Sequence, residues 1–154
     1  ENIGANWHWS NIGRIKVTGI EGNLEYKKNK LKSYLNYTYT NSADQDGSEV
    51  AEISPNTANA GFQYAFTERL NLDLRGQYLG KRKNTHPIGV SNDMHVGGAF
   101  VLNGTLNFSV PGGYEFQLSA RNIFNKEYYH TSNSSVSAYR QPQSYITIKA
   151  AKQF

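Results

Sequence analysis

The chain has 154 residues, of which only 38% are hydrophobic, yet 13% are aromatic, with eleven tyrosines among them, and the formal net charge is +4. Mean hydropathy is -0.65, but the aromatic content excludes a disordered chain, which would be poor in such residues. No run of about 18 apolar residues exists, so no transmembrane helix is expected. The absence of cysteine excludes disulfides and thiolate metal sites, and the lysines and arginines are scattered rather than striped, so no nucleic-acid partner is expected.

Glu1-Asn2-Ile3-Gly4 shows no basic start, apolar stretch or small-residue cleavage site. The expectation is a processed terminus or a piece of a longer polypeptide. Residues 5–12, with Trp7 and Trp9 on one parity, are expected to end a further strand or a preceding loop.

From there the chain alternates. Residues 13–26 form a first expected strand with Ile20, Leu24 and Tyr26 opposite Glu21, Asn23 and Glu25. A short polar turn, 27–30, leads to a second, 31–40, with Leu31, Leu35, Tyr37 and Tyr39 opposite Lys32, Tyr34, Asn36 and Thr38. A long polar stretch, 41–57, precedes a third strand, 58–66, which places Ala60, Phe62, Tyr64 and Phe66 on one side. After the turn 67–69 the fourth strand sets Leu70, Leu72, Leu74, Gly76 and Tyr78 against Asn71, Asp73, Arg75 and Gln77. A helix would spread these leucines and charges around its cylinder, whereas a period of two separates them completely.

Residues 80–98 read as a second long polar loop. Strand 99–110 alternates Phe100, Leu102, Leu106 and Phe108 with Asn103, Thr105 and Asn107. Pro111-Gly112-Gly113 turns into a sixth strand with Tyr114, Phe116, Leu118 and Ala120 opposite Glu115, Gln117, Ser119 and Arg121. A third long loop, 122–142, leads to the terminal strand 143–154, whose Ile146, Ile148, Ala150 and Phe154 share one parity.

Short turns and long loops therefore alternate between two rims, the arrangement of outer-membrane barrels with short periplasmic turns and long extracellular loops. About seven strands, each near the ~10 residues that a tilted membrane strand needs, give an all-β, antiparallel, up-and-down transmembrane β-barrel. Phe62, Leu72, Leu74, Leu102, Leu106, Phe116, Leu118 and Ile148 are expected to face lipid, and Asn71, Asp73, Arg75, Asn103, Gln117 and Arg121 the interior. Tyr26, Tyr37, Tyr39, Tyr64, Tyr78 and Tyr114 lie near strand ends, where a girdle belongs.

Nothing in the sequence calls for catalysis, a metal or a cofactor. His8, His86, His95 and His130 lack a ligand spacing. The segment 44–47 opens like a calcium loop, but its twelfth position is Pro55. No serine or aspartate has a histidine partner at a recognisable spacing.

Asn122-Ile123-Phe124-Asn125-Lys126-Glu127-Tyr128-Tyr129, followed about two dozen residues later by a strand ending in Phe154, resembles the carboxyl-terminal region of TonB-dependent outer-membrane receptors. Gly19-Ile20-Glu21-Gly22, Ser54-Pro55 and Tyr78-Leu79-Gly80 are similar to further segments of that family. The resemblance covers the chain from about residue 13 onward. It implies a barrel of roughly 22 strands around an amino-terminal plug, of which residues 1–154 would be the carboxyl-terminal part, without the plug or the energy-coupling box. It also implies active uptake of a scarce nutrient, most readily a ferric siderophore or related iron chelate, driven through the TonB protein. Further implied partners are outer-membrane lipid, the rest of the barrel and plug, and the barrel-assembly machinery, for which Ile146, Ile148, Ala150 and Phe154 would be the terminal signal.

On loop position, His86, His95, Tyr128, Tyr129, His130 and Arg140 are the candidate ligand contacts, since aromatic and cationic groups suit anionic chelates. Two alternatives stay open at this point. A small eight-stranded barrel with an adhesive or anchoring role would close on itself, and a soluble ligand-binding β-barrel or sandwich would turn the leucine parity inward as a core.

Overall fold

The computed structural model describes residues 13–88, 93–132 and 138–153. The expectations for Trp7, His8, Trp9 and Phe154 lie outside them. The strands are β1 (Lys16–Lys28), β2 (Leu31–Ala43), β3 (Asn56–Ala65), β4 (Leu70–Leu79), β5 (Arg82–Ile88), β6 (Asp93–Val96), β7 (Ala99–Val110), β8 (Tyr114–Arg121), β9 (Tyr129–His130), β10 (Tyr139–Arg140) and β11 (Tyr145–Lys152). Seven of them make one sheet in the order β1-β2-β3-β4-β7-β8-β11, antiparallel throughout. The remaining four form two short ribbons, β5 with β6 and β9 with β10.

Register decides which residues share a face, because a slip of one residue would invert every side chain. Tyr64 pairs with Leu72, Leu72 with Leu106, Leu106 with Leu118 and Leu118 with Ile148, giving one apolar row across five strands. The adjacent row on the other parity runs Gln63, Asp73, Thr105, Ser119, Thr147. Each expected apolar and polar set thus lies on its own face.

No second layer covers the apolar face: among the described residues, substantial contacts between elements run only between paired strands. Phe62, Phe108, Phe116 and Leu118 remain exposed on this face, and among the described residues the buried hydrophobic ones are Val96, Ala99 and Val101 at the long-loop rim. A soluble sandwich or barrel buries this parity as its core. A face of bare leucine and phenylalanine instead requires hydrocarbon as its solvent, which assigns it to the bilayer. Nor do β1 and β11 pair with each other among the described residues; they are the two edges of an open sheet, so an eight-stranded barrel closed by these strands is not what they form.

The polar face is cross-linked from strand to strand. Gln63 Nε2 donates to Asp73 (2.6 Å), Arg75 Nε donates to the other oxygen of the same carboxylate (2.8 Å), and Asn107 joins Asn71 (2.9 Å) to Gln117 (2.9 Å). Gly61 is buried beneath the Tyr34 ring, which occupies the space that a Cβ would need. Backbone chemistry sets the short turns: Asn29 (φ 51°), Gly112 (φ 92°) and Gly113 (φ 78°) adopt the left-handed region that asparagine and glycine tolerate.

Several boundaries differ from expectation. The first strand runs 16–28 rather than 13–26, the second continues to Ala43, and the last spans 145–152. Residues 80–98, expected to be loop, contain the β5–β6 hairpin, and 122–142 contain the β9–β10 ribbon. Both carry polar residues on both faces, so hydropathy alternation does not reveal them.

Candidate functional site

The three long connections do not stand apart at their rim. β5 is the piece that joins them. On one side, Lys83 O accepts from Glu52 N (2.8 Å), Lys83 Nζ donates to Glu49 O (3.2 Å), and Thr85 Oγ1 donates to the Glu52 carboxylate (3.2 Å). On the other, the Arg82 guanidinium donates to Tyr129 O (3.2 Å), and the Asn84 Oδ1 accepts from Ser132 N (2.7 Å). Alternation along β5 makes this possible, since Arg82 and Asn84 point one way and Lys83 and Thr85 the other. Arg82, Asn84 and Ser132 are almost wholly buried. Burial pushes the Arg82 pKa down from its ordinary value, although a guanidinium stays charged.

The strand ends below are tied in the same way. Ser54 Oγ lies 2.9 Å from Asn56 O and 3.2 Å from Gly80 O, and Gly80 N donates to Asn56 O at 2.8 Å. A Cβ at Gly80 would meet Asn56 O at 2.9 Å, so only glycine permits this approach. Two of the segments that carried the family resemblance are therefore direct partners in the fold.

The third such segment is a clamp. Asn122, at φ 47°, donates from Nδ2 to Lys126 O (2.9 Å) and Pro142 O (3.1 Å), while its Oδ1 accepts from Lys126 N (2.9 Å). Its own N–H is taken by Asn103 Oδ1 (3.0 Å), and Asn125 Oδ1 accepts from Ser144 N (3.0 Å). Both ends of the third loop are thereby stapled to the top of β8. Ile123 and Phe124 are exposed, with the Phe124 ring 6.3 Å from Phe100 on the apolar face. In this segment Asn122, Asn125 and Lys126 serve the turn, and Tyr128 and Asn122 line a concavity.

That concavity, of about 230 Å³, lies on the polar face under the third loop and is lined by Gln77, Asn103, Arg121, Tyr128 and Tyr145 among others. A second, about 250 Å³, continues along the wall past Asp73, Arg75, Thr105 and Ser119. The Tyr128 ring lies 5.9 Å from the His130 ring. Partial burial, and then the nearby Arg82 charge, hold the His130 imidazole below its ordinary pKa.

Tyr129 and Arg140 face each other across β9 and β10, and Glu127 holds both: Tyr129 Oη donates to it at 2.7 Å and Arg140 Nη2 lies 3.4 Å away. The hydrogen bond to Glu127 raises the Tyr129 pKa. His95 sits apart from this group, 3.3 Å from the Glu49 carboxylate. His86 belongs to β5, and its side chain lies outside the described residues.

Of the sequence-derived candidates, Tyr128 meets His130 and Tyr129 meets Arg140, two pairs within the third loop, whereas His95 is linked to that loop only through β5. Arg82, Asn84, Ser132 and the acids Glu49, Glu52 and Glu127 were missed. The signal available for them was Arg82-Lys83-Asn84-Thr85 as an all-polar alternation. The Asp44 carboxylate accepts from Asp46 N (3.0 Å) and Ser48 N (2.8 Å), which makes the calcium-like stretch a self-satisfied turn. No group of metal-ligating residues occurs among the described residues.

Residues 1–123 match the family model described as TonB dependent receptor-like, beta-barrel. The probable TonB-dependent siderophore receptor PirA of Acinetobacter baumannii is 28% identical over an alignment of 152 residues, covering 87% of this chain and 20% of that protein. Among solved structures, the siderophore receptor PiuA of Acinetobacter baumannii superposes with a TM-score of 0.75 at 20% identity, over 91% of this chain and 22% of that one. The ferric-catecholate import receptor Fiu of E. coli K12, in its closed form, gives 0.76 at 19% identity, over 92% and 21%. At these identities the superpositions speak for the fold. The chain spans about a fifth of the length of the relatives that it matches.

Proposed function

Because this chain belongs to the TonB dependent receptor-like β-barrel family, whose members are outer-membrane receptors, we propose that it is the carboxyl-terminal sector of a receptor taking up a ferric siderophore or related iron chelate. Its seven strands supply an arc of wall, and its long loops face outward to capture the chelate. The plug, the remaining strands and the contact with the TonB energy-coupling complex belong to polypeptide outside this chain.

The observation that carries this reading is the third loop, which holds the Tyr128–His130 and Tyr129–Arg140 pairs above a polar, water-facing wall. Ferric chelates of the catecholate type are anionic and aromatic, and such groups stack on tyrosine and pair with guanidinium. We assign first contact to Tyr128, Tyr129, His130 and Arg140, with His86 and His95 on the hairpin side. Arg121 and Tyr145 line the route inward. Asn122, Ile123, Phe124, Asn125 and Lys126 shape the loop base rather than touch the ligand.

The test is radio-iron uptake by cells expressing the full-length receptor, supplied in turn with ferric catecholate, hydroxamate and carboxylate chelates. The paired change Tyr128→Ala and His130→Ala is expected to raise the half-saturating concentration for one chelate class while the barrel stays heat-modifiable. Deleting residues 82–96 is expected to impair uptake more strongly, yet leave β4 paired with β7. Unchanged affinity for every chelate in both variants contradicts the assignment.

A further inference from the structure

Pairing register sorts every residue of the seven-stranded sheet onto one of its two faces. On the bilayer-facing side the charged residues of these strands are Lys16, Lys28 and Lys152, and none is a carboxylate. Lys16 lies at the long-loop rim, opposite Ala43. Lys28 and Lys152 lie at the short-turn rim, each beside tyrosine.

Lys28 stands next to the β1–β2 turn, where Tyr26, Lys28, Asn29, Lys30, Leu31 and Tyr64 line a concavity of about 480 Å³. Tyr26, Lys28, Leu31 and Tyr64 all belong to the outward face, and Leu31 and Tyr64 are register partners. Lys30 Nζ donates to Phe66 O at 3.0 Å, which ties this turn to the next and leaves two of the ammonium protons available. The Lys28 ammonium has no hydrogen-bond or ion-pair partner among the described residues. The hollow thus joins an apolar, aromatic floor to two cations at the depth where headgroups lie.

We propose that this hollow seats an anionic glycerophospholipid of the periplasmic leaflet, its phosphate on Lys28 and Lys30, its acyl chains along Leu31 and the faces of Tyr26 and Tyr64. The occupant follows from charge and from depth. A free phosphate has no use for the apolar floor, and a neutral lipid none for two cations without a carboxylate between them. The inference rests on the membrane-barrel assignment, which places the short turns at the periplasmic leaflet.

The test uses the full-length receptor purified in a non-ionic detergent and equilibrated with equal amounts of dioleoylphosphatidylglycerol and dioleoylphosphatidylcholine, with retained lipid counted by native mass spectrometry. Wild type is expected to retain phosphatidylglycerol preferentially, and the preference is expected to fall with added salt. Combining Lys28→Gln with Lys30→Gln is expected to cut the preference roughly tenfold, since each lysine near an anionic surface contributes appreciably. The matched pair Lys32→Gln with Lys149→Gln, on the polar face, is expected to leave it unchanged, and Lys28→Arg with Lys30→Arg to keep it. An absent or salt-independent preference in wild type, or equal loss in both glutamine pairs, overturns the proposal. Heat-modifiability of the same samples reports on the barrel separately: its absence in wild type would overturn the membrane assignment and the lipid site with it.

Discussion

In the wall, Leu72, Leu106 and Leu118 stand side by side with no protein above them, whereas at the loop rim Asn84 and Ser132, 48 residues apart, share a hydrogen bond and almost no solvent. The wall keeps its apolar side for the bilayer and fills its polar side with short cross-strand bonds such as Asn71–Asn107–Gln117. The loop cluster has the opposite construction: its centre is polar and its partners are distant in sequence. One region relies on its solvent, the other on the completeness of its internal hydrogen bonding. Substitutions should therefore hurt the two regions by different routes.

The largest effect is expected at the middle of β4. Leu74→Arg places a cation in hydrocarbon and should destabilise the barrel by about 2–4 kcal/mol. Asp73→Arg, one residue away, puts its charge on the water side and should cost far less, though it breaks the contacts with Gln63 and Arg75. Denaturant titration of both variants in the same lipid measures the gap. Equal penalties would erase the distinction between the faces.

Next come the buried polar groups of the loop cluster. Asn84→Ala leaves Ser132 N without its acceptor, a loss of about 1–3 kcal/mol for a buried donor, felt by the loops alone. Limited proteolysis should then cut residues 122–142 faster while the wall remains intact. Asn122→Ala removes three side-chain bonds and the residue type that favours φ 47°, and should also loosen the seating of β11 on β8. Amide exchange along 145–152, faster than in the Asn84 variant, is the distinguishing measurement.

The smallest effect is a pH dependence at His130. Burial and Arg82 disfavour its protonated form, so the folded loop binds that proton less readily than the unfolded chain. Its contribution is full above the ordinary histidine range and is lost as the pH falls through and below about 6.5. Proteolytic resistance of the third loop should decline on acidification, and His130→Gln should flatten that decline.

The same contrast explains what the sequence made legible. Wall strands such as 70–78 and 99–110 are plain because bilayer and water impose a period of two, and the sheet obeys it in every strand. The strands of the hairpin 82–96 and the ribbon of 129–130 with 139–140 escape this logic, since both their faces are polar. Their docking against one another and against the first loop rests on bonds spanning 33 to 48 residues that no local pattern records. Among the candidate ligand contacts, residue type and loop position brought out Tyr128, Tyr129, His130 and Arg140. The buried Arg82 and Asn84 that tie their loop to β5 looked like ordinary solvated polar residues. The family-like fragments were visible as resemblance, but their role as mutual clamps, Ser54 on Gly80 and Asn122 on Pro142, emerged only in three dimensions.

The central claim is that Leu72, Leu74, Leu106 and Leu118 face lipid while Asp73, Thr105 and Gln117 face water. This chain contains no cysteine, so once any cysteine elsewhere in the full-length receptor is replaced, a nitroxide can be placed at each of these positions in turn and its collisions with oxygen and with a water-soluble nickel chelate compared in liposomes. Oxygen accessibility is predicted to dominate at 72, 74, 106 and 118 and nickel accessibility, or burial from both probes, at 73, 105 and 117. Swapped faces, or no alternation along β4, would contradict the account.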